Sequence, residues 1–144
     1  MLSEEDIRGL EGTAHRIRED LMEMFHSTGR GHIGGSLSIV EVLVALYFRI
    51  MRVDPKNPRW PDRDRLVLSK GHGAATWYAA LAEKGFFPRE LLTSQFIKLD
   101  GLLQEHAEMR KIPGVDMSSG SLAQGLSVGL GMSLAARLAG RSYK

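Results

Sequence analysis

The sequence predicts an α/β fold, rich in helix and poor in strand, and three observations carry that reading. Ile7, Leu10, Ala14, Ile17, Leu21 and Phe25 recur at spacings of three and four, which marks one face of a long helix. Leu66-Val67-Leu68 is a short apolar run suited to a buried strand, and it passes through Gly71-His72-Gly73 directly into a helix-like stretch. Leu122, Leu126, Leu130, Leu134 and Leu138 form a row at spacing four near the other end of the chain.

Each element has its own punctuation. Ser3 and Asp6 read as a capping box opening the first helix, and Gly29 as its stop. A Gly-rich turn, residues 29–36, follows. Ser38 and Glu41 form a second capping pattern, opening a helix through about Met51 whose apolar residues lie on nearly all sides, so deep burial is expected. Residues 54–64 hold three prolines and read as an ordered surface loop. Ala74 to Lys84 is a helix stopped by Gly85, and Pro88 opens a shorter one to about Ile97. From there to Met117 the chain is loop-like. The last helix is expected from Ser121 to about Ala139. Its second row, Ser121, Gly125, Gly129 and Ser133, is made of small residues that admit another backbone closely, with the leucines filling the space beside it.

Composition narrows the function. The 144 residues make one ordinary domain, 43% hydrophobic and 25% charged, with 19 basic against 17 acidic side chains. The cations are scattered among acids, so no nucleic-acid stripe forms. The acidic start, Ser3-Glu4-Glu5-Asp6, is unlike a secretory or transit signal. With no cysteine, disulfides and Cys-ligated metals are excluded. Gly125-x-x-x-Gly129 occurs in membrane helices, but the segment is barely long enough and carries Gln124 and Arg137. A soluble cytoplasmic protein, without membrane or nucleic-acid partners, is the expectation.

Five histidines occur. His15 and His26 lie on the first helix and read as structural. His32, His72 and His106 lie in loops, two of them beside glycines, and together suggest a shared site. They are 40 and 34 positions apart without a short ligand pair, which argues against zinc without closing it out. No Gly-x-Ser-x-Gly elbow supports a serine nucleophile. His72, at a predicted strand-to-helix junction, favours an anion, because a helix N-terminus offers free N–H groups and partial positive charge. No Walker lysine is present. Gly120, just before the last helix, offers bare backbone to a flat polar ligand, with Leu122 beside it. From that stretch alone, a glycine that merely turns the chain is the favoured reading.

Read together, "GHIGGSLSIVEVLVALYF", "DRDRLVLSKGHGAATWYAALAEKGFF" and "IPGVDMSSGSLAQGLSVGLGMSLAARLAG" closely resemble the N-terminal part of transketolase, in the family's order and over most of residues 10–140. The resemblance implies a helix-rich N-terminal part of a thiamine diphosphate-binding fold with a parallel sheet, incomplete in this chain, within one partial domain over residues 1–144. It implies transfer of a two-carbon ketol unit from a ketose phosphate to an aldose phosphate, with thiamine diphosphate and Mg2+. His32 and His106 would contact sugar substrate and assist proton transfers. His72 would meet the cofactor diphosphate, and Gly120, Ser121 and Leu122 would hold the aminopyrimidine end.

Ile33 stands where the family usually has proline, and Ala123 where glycine is common. Family members continue past Tyr143-Lys144 into a Gly-Asp-Gly metal motif and a second domain carrying an activating glutamate. The expectations are therefore that this chain carries no metal ligands, that it is catalytically silent alone, and that it docks onto a C-terminal section or self-associates. A 1-deoxyxylulose-5-phosphate synthase-like enzyme and a non-catalytic assembly module are the alternatives.

Overall fold

The computed structural model describes residues 2–144. Helix α1 spans Glu4–Thr28, and its start follows from local chemistry. Ser3 Oγ accepts the Asp6 N–H at 3.1 Å while Asp6 Oδ2 accepts the Ser3 N–H at 2.9 Å, so the predicted capping box forms. Gly29, in the left-handed region at φ 61°, ends the helix by donating to the Phe25 carbonyl. Ala14, Ile17, Leu21, Met24 and Phe25 are buried, as the periodicity requires, while Ile7 at the open end stays out.

The next stretch departs from expectation. The Gly-rich turn already becomes helix α2 at Ile33–Leu37, and a break at Ser38-Ile39 separates it from α3, Val40–Ala45, which runs into a π-helical turn at Leu46–Ile50. The second capping box does not form. Ser38 Oγ donates to the Gly35 carbonyl at 3.0 Å and accepts from Lys70 Nζ at 2.8 Å, so it serves the end of α2 instead. Nor is this segment buried all round, since Val42 and Ile50 are more than half exposed. By length and composition Ile33–Ile50 could cross a membrane, but Val40, Leu43, Val44 and Tyr47 are core residues here.

Full burial belongs to α4, Ala74–Lys84, where every residue from Ala74 to Ala82 is buried. Its alanines let neighbours approach closely, and α1, α2, α3 and the short α5, Leu91–Ser94, all pack on it. Its two large polar aromatics are satisfied. Trp77 Nε1 donates to Tyr47 Oη at 2.6 Å, and Tyr78 Oη donates to the Gln104 carbonyl at 2.8 Å.

Among the described residues no strand forms, and pairing is limited to one isolated parallel bridge, Phe96 with Leu103. The expected strand at Leu66–Leu68 lacks a neighbouring ladder. The Leu66 N–H is taken by Asp116 Oδ2, and the Arg65 N–H donates to the Lys144 carbonyl. Helix α6 covers Gln124–Leu138, shorter at both ends than expected. Of its small row, Gly125 lies tight on the 67–69 segment: a Cβ there would sit 2.8 Å from Ser69 Cβ and 2.9 Å from Val67 Cγ1. A Cβ on Gly129 would meet nothing within 4 Å, and the leucines face outward rather than filling a core.

The tail after α6 is clamped to the 52–65 loop. Buried Asp64 accepts from the Arg52 N–H at 2.8 Å and from the Lys144 N–H at 2.7 Å. Burial raises the pKa of this carboxyl, but these backbone donors and the Arg52 guanidinium outweigh it, and the net direction is downward. Asp64→Asn should therefore destabilise the protein at neutral pH by about 1–3 kcal/mol. With the folded pKa below the unfolded one, the ionised group's contribution is present above about pH 4 and is lost as pH falls through the folded value. Urea unfolding should show a gap between wild type and variant that is full at neutral pH and narrows in acid. A gap independent of pH would assign the effect to packing alone.

Candidate active site

Three loops converge where α4 begins. His72 sits at the centre of a 3-10 turn, Gly71–Gly73, that leads into α4. His32 stands at the N-cap of α2 with non-helical backbone. The rings of His32 and His72 meet edge to face with centroids 4.7 Å apart, and His72 meets His106 the same way at 5.1 Å. His72 is thus the middle member of a cluster whose outer members are far apart in sequence.

The turn is held on both sides. Lys70 Nζ donates to the Gly35 carbonyl at 2.6 Å and to Ser38 Oγ, latching the turn to α2. Thr76 Oγ1 donates to the Ser36 carbonyl at 2.7 Å, fixing the first turn of α4 to the same helix. On the other side the absence of a side chain matters. A Cβ on Gly71 would lie 2.8 Å from His106 Cδ2, 2.9 Å from Gly120 Cα and 2.9 Å from the Ser119 carbonyl. Gly120 itself lies against the His106 ring. The geometry therefore brings His32, His72, His106 and Gly120 together. Ser121 and Leu122, next in sequence, are exposed and stand outside this packing.

An open cleft of about 480 Å³ lies along one side of His106, lined by Arg30, Gln104, Glu105 and Ser119 among others. One imidazole, a guanidinium, an amide, two hydroxyls and the carboxylates of Glu105 and Glu108 line this cleft, a set that suits a ligand able both to accept and to donate hydrogen bonds. Among the described residues no group of three or more histidines and carboxylates is placed to hold a metal ion.

Sequence reasoning missed two residues here. Lys70 stands in the motif itself, but its partners lie more than thirty positions away, and nothing local points to them. Ser119 is buried with its hydroxyl lacking a partner, and only the fold places it beside His106.

A family model described as "Transketolase, thiamine diphosphate binding domain" matches residues 11–144. The chain belongs to the transketolase family. It is 53% identical over 137 residues to the 6-deoxy-6-sulfo-D-fructose transketolase subunit SqwG of Clostridium sp. (strain MSTE9), covering 95% of this chain and 49% of that protein. It is 41% identical to an apulose-4-phosphate transketolase subunit of Phocaeicola vulgatus, over 96% of this chain and 48% of that protein. Transketolase from Pichia stipitis superposes with a TM-score of 0.82 at 32% identity, covering 88% of this chain and 18% of that one. The chain thus spans about half the length of these two curated relatives.

Within the family the two unusual residues acquire physical readings. Ile33 is the first residue of α2, the helical position that suits proline best, so isoleucine costs little there. Ala123 caps α6 at φ 67° and ψ −15°, a left-handed conformation that strains any residue with a Cβ and suits glycine. Ala123→Gly should raise stability by about 1 kcal/mol, the relief of strain exceeding the added freedom of the unfolded chain. Thermal unfolding should shift upward by a few degrees. An unchanged or lower midpoint would show that the alanine is accommodated without strain.

Proposed function

We propose that this chain supplies the thiamine diphosphate-binding section of a ketol transferase acting on sugar phosphates, completed by a further section or by a partner chain. The convergence of His32, His72 and His106 around the bare backbone of Gly71 and Gly120 carries this reading. The residues fit the cofactor in kind: an imidazole stands at the turn that opens a helix, and the half-buried backbone of Gly120 lies beside the neighbouring ring of His106. His72 would donate to a diphosphate oxygen, the Gly120 backbone would meet the aminopyrimidine, and exposed Leu122 would pack against that ring with Ser121 between them. Mg2+ is expected with the diphosphate, held by ligands outside the described residues. When bound, thiamine diphosphate supplies stabilisation of the carbanion that the two-carbon transfer needs.

The chain's own work is binding and proton handling. His106, facing the cleft, would hold sugar oxygens and exchange protons with them, and His32 would do so from the other side of His72. The edge-to-face contacts bring the three rings side by side, so substrate would meet a clustered set of donors and acceptors. Two of the relatives are named as subunits, which supports a partner. So does the outward leucine face of α6, where Leu122, Leu126, Leu130, Leu134 and Leu138 are all at least half exposed.

His72→Ala in the assembled enzyme should weaken thiamine diphosphate binding about tenfold or more, as for a hydrogen bond to a charged group. Calorimetric titration with Mg2+ present reads this directly, and equal affinities would remove His72 from the cofactor site. His32→Ala should leave cofactor affinity nearly intact while lowering kcat/KM for ketose and aldose phosphates. Loss of cofactor affinity with sugar kinetics preserved would reverse that assignment. The reading as a whole is tested by ketol transfer from a ketose phosphate to ribose 5-phosphate in the assembled protein, against pyruvate plus glyceraldehyde 3-phosphate. Activity with the second pair alone would replace it.

A further inference from the structure

A second cleft, of about 160 Å³, lies where the 58–63 loop meets the 109–116 loop, and it shares no lining residue with the cleft beside His106. Four cationic side chains, Arg59, Arg63, Arg110 and Lys111, line it against a single carboxylate, Asp116. That carboxylate is already engaged. Both Arg63 Nε and Nη2 donate to Asp116 Oδ1, and Asp116 Oδ2 accepts the Leu66 N–H at 2.9 Å. Lys111 pairs with Glu108 at 3.1 Å on the exposed surface, but among the described residues Arg59 and Arg110 have no carboxylate within ion-pair reach. Two guanidiniums without counter-charge therefore share one small recess.

The recess is rigidly walled. Pro58, Ile112 and Pro113 line it, and Ile112 and Val115 are core residues. Gly114, at φ 86°, presses against Leu81 and Phe86 so closely that a Cβ would lie 2.6 Å from Leu81 Cδ2, which fixes the 109–116 loop on the core. Half-buried Arg63 holds the opposite loop through Asp116 and through the Trp60 carbonyl at 3.0 Å. The two sides thus carry Arg59 and Arg110 on anchored backbone, with exposed guanidiniums whose planar forks suit an oxyanion.

We propose that this cleft binds a small tetrahedral oxyanion, inorganic phosphate or the phosphoryl group of a small metabolite, held by Arg59 and Arg110. Its size admits such a group. The site is separate from the histidine cluster but joined to it, because the Met109 N–H donates to Ser118 Oγ at 2.9 Å and Ser119 and Gly120 follow. The inference does not depend on the cofactor reading.

The test follows backbone amide resonances of the full chain during titration with inorganic phosphate, with glycerol 3-phosphate in a parallel arm. Saturable shifts centred on residues 109–116 are expected, weakened about tenfold or more in Arg59→Ala/Arg110→Ala and unchanged in Arg8→Ala, a distant cation. Tighter binding of glycerol 3-phosphate would assign the site to a phosphoryl group, and tighter inorganic phosphate to the free ion. Shifts confined to residues 71–73, no saturable shift, or equal affinity in the double variant would each overturn the proposal.

Discussion

The structure depends on one close approach: the backbone of Gly71 lies directly against His106, Ser119 and Gly120, with no space for a methyl group between them. This contact joins the turn before α4 to the segment before α6, beside the hydrogen bonds from Leu66 to Asp116 and from Gly125 to Ser69. The Lys70 latch to Gly35 and Ser38 adds α2 to the same junction from the other side. Because interiors are packed at crystal-like density, a shift of a few tenths of an ångström here would be passed to all three histidine rings.

What keeps that junction in place is α4. A helix buried on every side can neither rotate nor slide without loss of contacts, and α4 presents alanine wherever a neighbour must come near and an aromatic wherever space must be filled. Its two aromatic polar groups have partners on the π-helical turn and in the loop before His106, so Trp77 and Tyr78 tie the core to both sides of the site. The histidine cluster is thus a product of core packing rather than of flexible loops meeting by chance.

What is legible in the sequence follows from how local each determinant is. The capping box at Ser3, the stripe of α1 and the stop at Gly85 are decided within a few residues, and all three form where the sequence places them. The cap at Ser38 fails because Ser38 is itself helical at the end of α2, where its hydroxyl donates to the Gly35 carbonyl and meets Lys70, which no local pattern reveals. The strand at Leu66–Leu68 fails because a strand needs a neighbour, and here the Leu66 N–H meets a carboxylate instead. Three loop histidines suggest a shared site, but their spacing cannot say that His72 lies in the middle. The family resemblance points to those residues, and the fold shows their order. The left-handed alanine at 123 is visible in the sequence only as an oddity against the family, and its dihedral angles give it a physical meaning.

Helix α6 shows how the site and the outer surface are mechanically joined. It buries only Gly125 and Ala136 against the rest of the chain, while its leucines lie open. It is held chiefly at its ends. The Gly125 N–H donates to Ser69 Oγ at 3.1 Å at one end, and beyond the other Arg141 pairs with Asp62 and Arg65 stacks on the Tyr143 ring. Ser69 immediately precedes Lys70, and Gly120 lies three residues before the cap of α6. Anything that covered the leucine face would therefore bear on the same segments that clasp His72 and His106. Burial of each leucine is worth on the order of 1.5–3 kcal/mol, larger than a single hydrogen bond at the cap. Cover over α6 would thus outweigh the single hydrogen bond that holds its start to Ser69, next to the segments that clasp His72 and His106.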